Sequence, residues 1–478
     1  MPSAVLTGIA LYGGYNVNVE EWKKTQLQKH TSQYTHFDPR VSLKSCLGYI
    51  SSPQKVCHHG FYPFIHYTIK NRKVKKGKSV APKKREIYYA AHLDSWIYRY
   101  YAYLINEKYN LRVKEIGIDN VAIAYRTDLK KNNIDFSKRA FQFIRSIGPC
   151  YVMIGDFTNF FDNLDHAYLK ERLCDLLAVD RLTDDWYAVY KNVTRFSYVE
   201  LKDLLELNGL EDTREGRREF NKRSRKRALS TKLFRANKGI VHANPNCKYG
   251  VPQGSPISAA LANVYMLIAD KQIHEYTSSL GGMYMRYSDD FIVIIPDTEA
   301  GEDGKDHYNI IKEILSLVPN LVFEASKTNI FYCSNQTVTN CTNQFIEQEK
   351  QGKNIIEFLG FSFDGKCVRI RDKTISKYYN KLYRKLRTII NNQGYSSQNK
   401  RISGKNLYKK YSYKGSRRYQ KALARKEERP TEEKLGYGNF FDYVAEAKEK
   451  FGEETVDIVM RRHMQKIRKQ LNLIPELK

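Results

Sequence analysis

Nowhere do the 478 residues hold the eighteen or so consecutive apolar positions of a membrane-spanning helix, which excludes a helical integral membrane protein. Cysteines are few and scattered (Cys46, Cys57, Cys150, Cys174, Cys247, Cys333, Cys341 and Cys367). No CxxC pair occurs among them, so reduced thiols are expected rather than a disulfide framework or a zinc knuckle, and Cys57-His58-His59 has no second pair at zinc spacing. Met1 to Val19 lacks a basic leader and a long apolar stretch, so the expected location is the cytoplasm. No internal repeat at a solenoid period is present. Acid is also in short supply: 52 Asp plus Glu stand against 80 Lys plus Arg.

The resulting net charge of +28 predicts a polyanionic partner, and without a membrane segment nucleic acid leads. With 42% hydrophobic and 13% aromatic residues the chain can bury a large core, so a disordered basic tail is excluded. At about 150 residues per domain the length allows roughly three domains. The basic charge is concentrated in three stretches. Lys70 to Arg85 has nine Lys/Arg and no acid, Arg214 to Lys238 has eleven against two, and Lys366 to Arg425 has nineteen against Asp372 alone. The last is interleaved with tyrosines such as Tyr378, Tyr383, Tyr408 and Tyr419, rings on which bases stack.

Apolar patterning alternates in type, which predicts a mixed α+β protein. Helices are expected over Ala91 to Tyr109, Ala167 to Leu177 and Ser258 to Glu275, a buried strand over Tyr151 to Asp156, and a hairpin over Met283 to Pro296 turning at Tyr287 to Asp290. After Phe363 the pattern becomes helical and basic.

Asp156 ends an apolar strand, and Asp289 and Asp290 sit at the hairpin tip. If strand and hairpin are neighbours, three carboxylates converge and repel one another, and a hard divalent cation such as Mg²⁺ resolves that repulsion. Asp-Asp alone is more often an ordinary turn. The surrounding residues change the balance. Gly155-Asp-Phe-Thr-Asn-Phe-Phe-Asp-Asn-Leu-Asp-His166, Gly250-Val-Pro-Gln-Gly-Ser-Pro-Ile-Ser258 and Tyr287-Ser-Asp-Asp-Phe291 follow in the order and rough spacing of reverse transcriptase palm motifs. The chain resembles the group II intron and retron-like lineage. Arg85-Glu-Ile87, Ala124-Tyr-Arg126, Ser326-Lys-Thr328 and Phe358-Leu-Gly-Phe361 extend the likeness from about Lys83 to Phe363.

The resemblance implies a right-hand polymerase: an N-terminal extension over 1–66, fingers over 67–150, a palm with antiparallel sheet and helices over 151–363 with a basic insertion at about 200–240, and an all-helical basic thumb and C-terminal region over 364–478. It implies that Asp156, Asp289 and Asp290, with the backbone carbonyl of Phe157, bind two Mg²⁺ ions, for which Mn²⁺ can substitute. Phe161 falls at the steric-gate position that favours dNTPs. Gln253 and Gly254 match the loop along incoming nucleotide and template. Arg85 and Arg126, with Lys84 as a weaker candidate, would hold the triphosphate through forked hydrogen bonds. Lys327 matches a lysine that protonates departing pyrophosphate.

Asp156 and Gln253 are 97 residues apart, room for an insertion containing the Arg214 to Lys238 cluster, expected as a helical or flexible RNA-gripping arm. Cys333 to Asn354 is a polar extension without a readable role. No nuclease or integrase signature follows the thumb. Tyr437-Gly-Asn-Phe-Phe-Asp-Tyr-Val-Ala-Glu-Ala447 and Arg461-Arg-His-Met-Gln-Lys466 resemble the helical tails of bacterial defence-associated reverse transcriptases, the unknown group and abortive-infection enzymes. That likeness implies anti-phage defence, a dedicated noncoding RNA template, a DNA product and a homo-oligomer. Alternatives are a retron or group II intron-derived enzyme, a protein-primed or template-independent DNA polymerase starting on one of the 36 tyrosines, an RNA-dependent RNA polymerase, and a non-catalytic RNA-binding scaffold.

Overall fold

The computed structural model describes residues 9–12, 15–28, 34–75, 78–222, 226–244, 246–297, 304–323, 325–346, 352–395, 404–426, 438–452, 465, 467–469 and 472. Tyr437, and Arg461 to Lys466 apart from Gln465, lie outside the described residues.

The centre is a five-stranded antiparallel sheet, in the order Thr337–Asn340, Asn329–Ser334, Cys150–Asp156, Asp290–Pro296, Met283–Tyr287. The apolar run Cys150 to Met153 and its neighbour Phe291 to Ile295 alternate their side chains between two covered faces, which is why both strands read as nearly continuous apolar sequence. The helix Ser258–Ser279 packs on this sheet and on helices His92–Glu115 and His166–Leu177. Alanines and apolar residues almost all round it, among them Ala260, Leu261, Val264, Tyr265 and Met266, are buried. Gly155 is fixed by packing: a Cβ there would lie 2.3 Å from the Phe291 ring, which is wholly buried on the facing strand.

A second sheet has the order Lys78–Tyr89, Phe64–Lys75, Ser197–Glu200, Val241–Ala243. The first pair is antiparallel, and Lys70, Lys84 and Arg85 are exposed on it. Phe64–Lys75 runs parallel to Ser197–Glu200. The expected helical or flexible RNA-gripping arm is helical over Arg214–Lys222 and Thr231–Ala236, and it is packed on the sheet rather than free of it. Helix Arg214–Lys222 buries Phe220 among Phe37, Ile65, Val199 and Leu204, so the 197–243 segment completes this sheet and its core. Its charged residues line one side of a helix whose opposite side is packed.

The helical region begins later than expected. Val368–Ile370 is a third strand of a small sheet with Ile356–Phe358 and Phe361–Phe363, and helices follow only from Asp372. Helices Asp372–Asn391 and Gly404–Tyr411 share a cluster of Tyr378, Leu382, Leu386, Leu407 and Tyr411, with Lys373, Lys377, Lys381, Arg384, Arg387, Lys409 and Lys410 exposed. Helix Phe440–Phe451 is held by an Asn439/Asp442 capping box and ends at Gly452 in the left-handed region (φ 69°). It returns to helix Asn133–Ile147, where Val444 and Ala447 join Phe141 and Phe361, and Asn133 Nδ2 donates to the Tyr443 hydroxyl at 3.0 Å. Cys333 to Asn340, expected only as a polar extension, forms the sheet's outer hairpin.

Candidate active site

The antiparallel register sets Asp156 directly opposite Asp290, and Tyr287 opposite Asp290 on the other side. Residues paired in this way share a face of the sheet, with Cβ atoms about 5 Å apart. Asp289 lies in the two-residue turn between the strands, and its carbonyl accepts a hydrogen bond from the Phe157 N–H at 3.2 Å. The turn is thus pinned to the chain just beyond Asp156. Ser288 takes a left-handed φ of 62° to make it, and its side chain is buried.

Partial desolvation, together with the Asp289 and Asp156 carboxylates, pushes the Asp290 carboxyl up to about 6; Arg371 and Lys327 pull the other way. Asp290 keeps solvent on its outer edge, so the part of the shift due to its two acidic neighbours is what a cation can reverse. Lys327, at the end of a short 3-10 turn, places Nζ 3.2 Å from Asp156 Oδ2. Its side chain is 43% exposed, and an ion pair so open to water contributes at most about 1 kcal/mol, too little to hold the carboxylate against a dication.

Among the described residues no three His, Cys, Asp or Glu side chains stand in ready metal-holding geometry. The donor set nevertheless fits a hard cation: the register brings the carboxylates of Asp156 and Asp290 to one face beside Asp289, and burial together with those two acids raises the Asp290 pKa.

Other expected residues are placed as follows. Phe161 is half-buried, its ring 5.6 Å from that of Phe160, and its carbonyl accepts from Val251 N–H at 2.9 Å, which links it to the Gly250 loop. Gly254 has a φ of 112°, and a Cβ there would meet the Tyr88 carbonyl at 2.7 Å, while Tyr88 N–H donates to the Gln253 carbonyl at 2.9 Å. The close approach that demands glycine is to the second sheet's backbone. Lys84 and Arg85 are both exposed, but as consecutive strand residues they project to opposite faces.

Arg126 requires a correction. Its side chain is wholly buried, with Nε on Asn110, Nη1 on the Asp119 carbonyl, and Nη2 2.6 Å from both Asp119 and Asp128 carboxylates. The guanidinium is consumed internally and is closed to the surface. The residue before it is open: Tyr125, at φ 64°, is 44% exposed and its hydroxyl lies 3.0 Å from Ser288 Oγ, and burial of part of the ring, with the nearby Asp289 carboxylate, raises its pKa.

The sequence reading missed the support beneath the hairpin. Arg286 donates from Nε and Nη2 to the two Asp270 oxygens at 2.8 and 2.6 Å and from Nη1 to the Ser288 carbonyl at 3.0 Å. The signal was a lone arginine in an apolar strand and a lone aspartate in an apolar helix. Arg371, paired with Glu357 and close enough to Asp290 to oppose the rise of its pKa, was missed as well, hidden within a general basic run.

Comparison with known proteins now bears on this geometry. Residues 217–363 match the family model described as reverse transcriptase (RNA-dependent DNA polymerase). That segment is similar to a reverse transcriptase domain. Such a domain is of the nucleotidyltransferase class. The matched segment contains Gln253, Gly254, Asp289, Asp290 and Lys327; Asp156, which pairs with Asp290, and Phe161, whose carbonyl accepts from Val251 N–H, come to it from outside, and Arg85 also lies outside the match. No curated protein matches the chain.

Three telomerase structures from Candida tropicalis are similar. They are apo telomerase without its C-terminal domain (TM-score 0.37, 13% identity, 63% of this chain), apo telomerase (0.38, 14%, 85%), and telomerase with a fragment of telomeric RNA (0.36, 14%, 91%). The chain spans 55%, 65% and 64% of those chains, and at these scores nothing further follows from them. Among the described residues no helix is long and apolar enough to cross a membrane, and all eight cysteines are free thiols.

Proposed function

We propose that the chain is an RNA-directed DNA polymerase that adds dNTPs to a 3′-hydroxyl. The observation that carries this reading is the pairing of Asp156 with Asp290 beside the Asp289 turn, the last two lying within the segment similar to reverse transcriptases. Asp156, Asp289, Asp290 and the Phe157 carbonyl would hold two Mg²⁺ ions. Bound there, the ions supply a Lewis acid for the attacking hydroxyl and for the pyrophosphate oxygens.

The chain's own residues do the rest. Phe161, half-buried beside the Gly250 loop, limits the space under the sugar. Gln253 presents its side chain from a loop whose backbone is anchored to Tyr88. Arg85, exposed on its strand, is the remaining arginine of the original pair for the triphosphate, with Lys84 on the opposite face. Lys327, 3.2 Å from Asp156 Oδ2, would give a proton to departing pyrophosphate.

The finer reading is a bacterial anti-phage enzyme with a dedicated noncoding RNA as template. Its support is the resemblance in the C-terminal sequence and the outward-facing charge of helix Asp372–Asn391. Primer extension on poly(rA) with oligo(dT) tests the activity: Asp289→Ala should abolish incorporation, and equal signals from variant and wild type would end the reading.

A further inference from the structure

A cleft of about 350 Å³ opens between the start of helix His166–Leu177, helix Asp184–Thr194 and the loop at Cys247 and Lys248. Four cations line it: Lys170, Lys191, Arg195 and Lys248. None of them pairs with a described carboxylate. Asp165 is the sole acid on the wall, and its oxygens already accept from the Tyr168 N–H at 2.9 Å and from Asn320 Nδ2 at 3.4 Å. Four like charges gathered around so small a space repel one another unless an anion enters.

The cleft also offers a ring. Tyr187 is 41% exposed, Lys170 Nζ sits 5.6 Å from its centroid, and Tyr190 backs it at 6.4 Å in a stacked arrangement. A free phosphate would use the cations and leave the exposed part of this ring without a partner. A polynucleotide uses both, its phosphates against the lysines and a base over the tyrosine.

We propose that this cleft binds a single-stranded polynucleotide, one base stacked on Tyr187 and the flanking phosphates held by Lys170, Lys191, Arg195 and Lys248. The bound strand touches the loop of the candidate active site. His166 Nε2 lies 2.7 Å from the Gly250 carbonyl, His166 N–H donates to the Lys248 carbonyl at 2.9 Å, and Gln253 and Gly254 follow within the same loop. The inference rests on the polymerase reading for the identity of the strand, RNA template or DNA product.

The test uses the full chain and short 5-iodouridine-labelled oligouridine, in ribo and deoxy forms, crosslinked by near-ultraviolet light and mapped by mass spectrometry. A crosslink at Tyr187 that persists in Tyr187→Phe and vanishes in Tyr187→Ala is expected, and the form that crosslinks names the strand. Tyr187→Ala should weaken that oligonucleotide about 5- to 150-fold. Lys191→Gln and Lys248→Gln should each lower the slope of log affinity against log salt by about 0.7.

Crosslinks confined to other surfaces, slopes that do not change, or displacement of the oligonucleotide from Tyr187 only by an acidic peptide would overturn the proposal. Repeating the mapping in Asp289→Ala separates the two readings. A Tyr187 crosslink without wild-type primer extension keeps the cleft and loses the polymerase, whereas extension without the crosslink does the reverse.

Discussion

Arg286 and Asp270 form a two-pronged ion pair with neither side chain exposed to solvent, directly under the turn that carries Asp289. The Tyr284 hydroxyl donates to the same carboxylate at 2.9 Å, so the helix Ser258–Ser279 and the hairpin are joined through one acid. Removing either partner alone leaves a buried charge uncompensated. Arg286→Ala or Asp270→Ala should cost about 3–5 kcal/mol in denaturant unfolding, and Arg286→Met with Asp270→Leu should recover most of that loss. If the double variant is as unstable as either single one, the pair is not what holds the turn.

Asp290 makes stability depend on pH in a defined direction. Its carboxyl is pushed up to about 6, so the folded chain binds that proton more tightly than the unfolded chain, whose value is about 4. The contribution is whole below about pH 4 and is lost as pH rises through 6. In chelator, the melting temperature of wild type should fall relative to Asp290→Asn between pH 4.5 and about 7. Adding Mg²⁺ at neutral pH should raise the wild-type value more than that of the variant. Parallel curves for the two proteins would remove the carboxylate cluster as the cause.

Phe161 is tested by substrate choice. If its ring limits the space beneath the sugar, Phe161→Ala should lower the preference for dNTP over NTP by about 10²-fold in single-nucleotide incorporation, with melting temperature little changed. Wild type that uses both nucleotides equally would return Phe161 to a packing role beside Phe160.

Lys327 has two separable roles. As a counter-charge it competes with metal for Asp156, and Lys327→Gln should lower the Mg²⁺ concentration for half-maximal rate by no more than about 5-fold. As a proton donor it should cost about 10²- to 10⁴-fold in kcat and remove one limb of the pH profile. A changed Mg²⁺ requirement with an unchanged kcat assigns it the first role alone.

The sequence made legible the strand ending at Asp156, the hairpin at Asp289 and the long helix after Gly254, because each is a long apolar run broken by a sharp polar stop. What escaped it depends on pairing across distance. Arg126 stands in a Tyr-Arg dipeptide that reads as a phosphate grip, yet Asp119 and Asp128 lie close enough in the chain to consume it. The Arg214 to Lys238 charge hid Phe220, the one ring that fastens its helix to the sheet. Val368–Ile370 is too short, and too basic around it, to stand out as a strand before it meets Phe361–Phe363.

The parallel ladder joining Phe64–Lys75 to Ser197–Glu200 has a consequence for how the molecule is made. Residues 64 and 198 become neighbours only after more than a hundred others have been synthesised, and Val241–Ala243 must then add the outer strand. Nascent chain therefore emerges with an open hydrogen-bonding edge and no local partner to cover it. Fragments ending before residue 197 would keep that edge, and they should be recovered as aggregates where longer ones stay in solution.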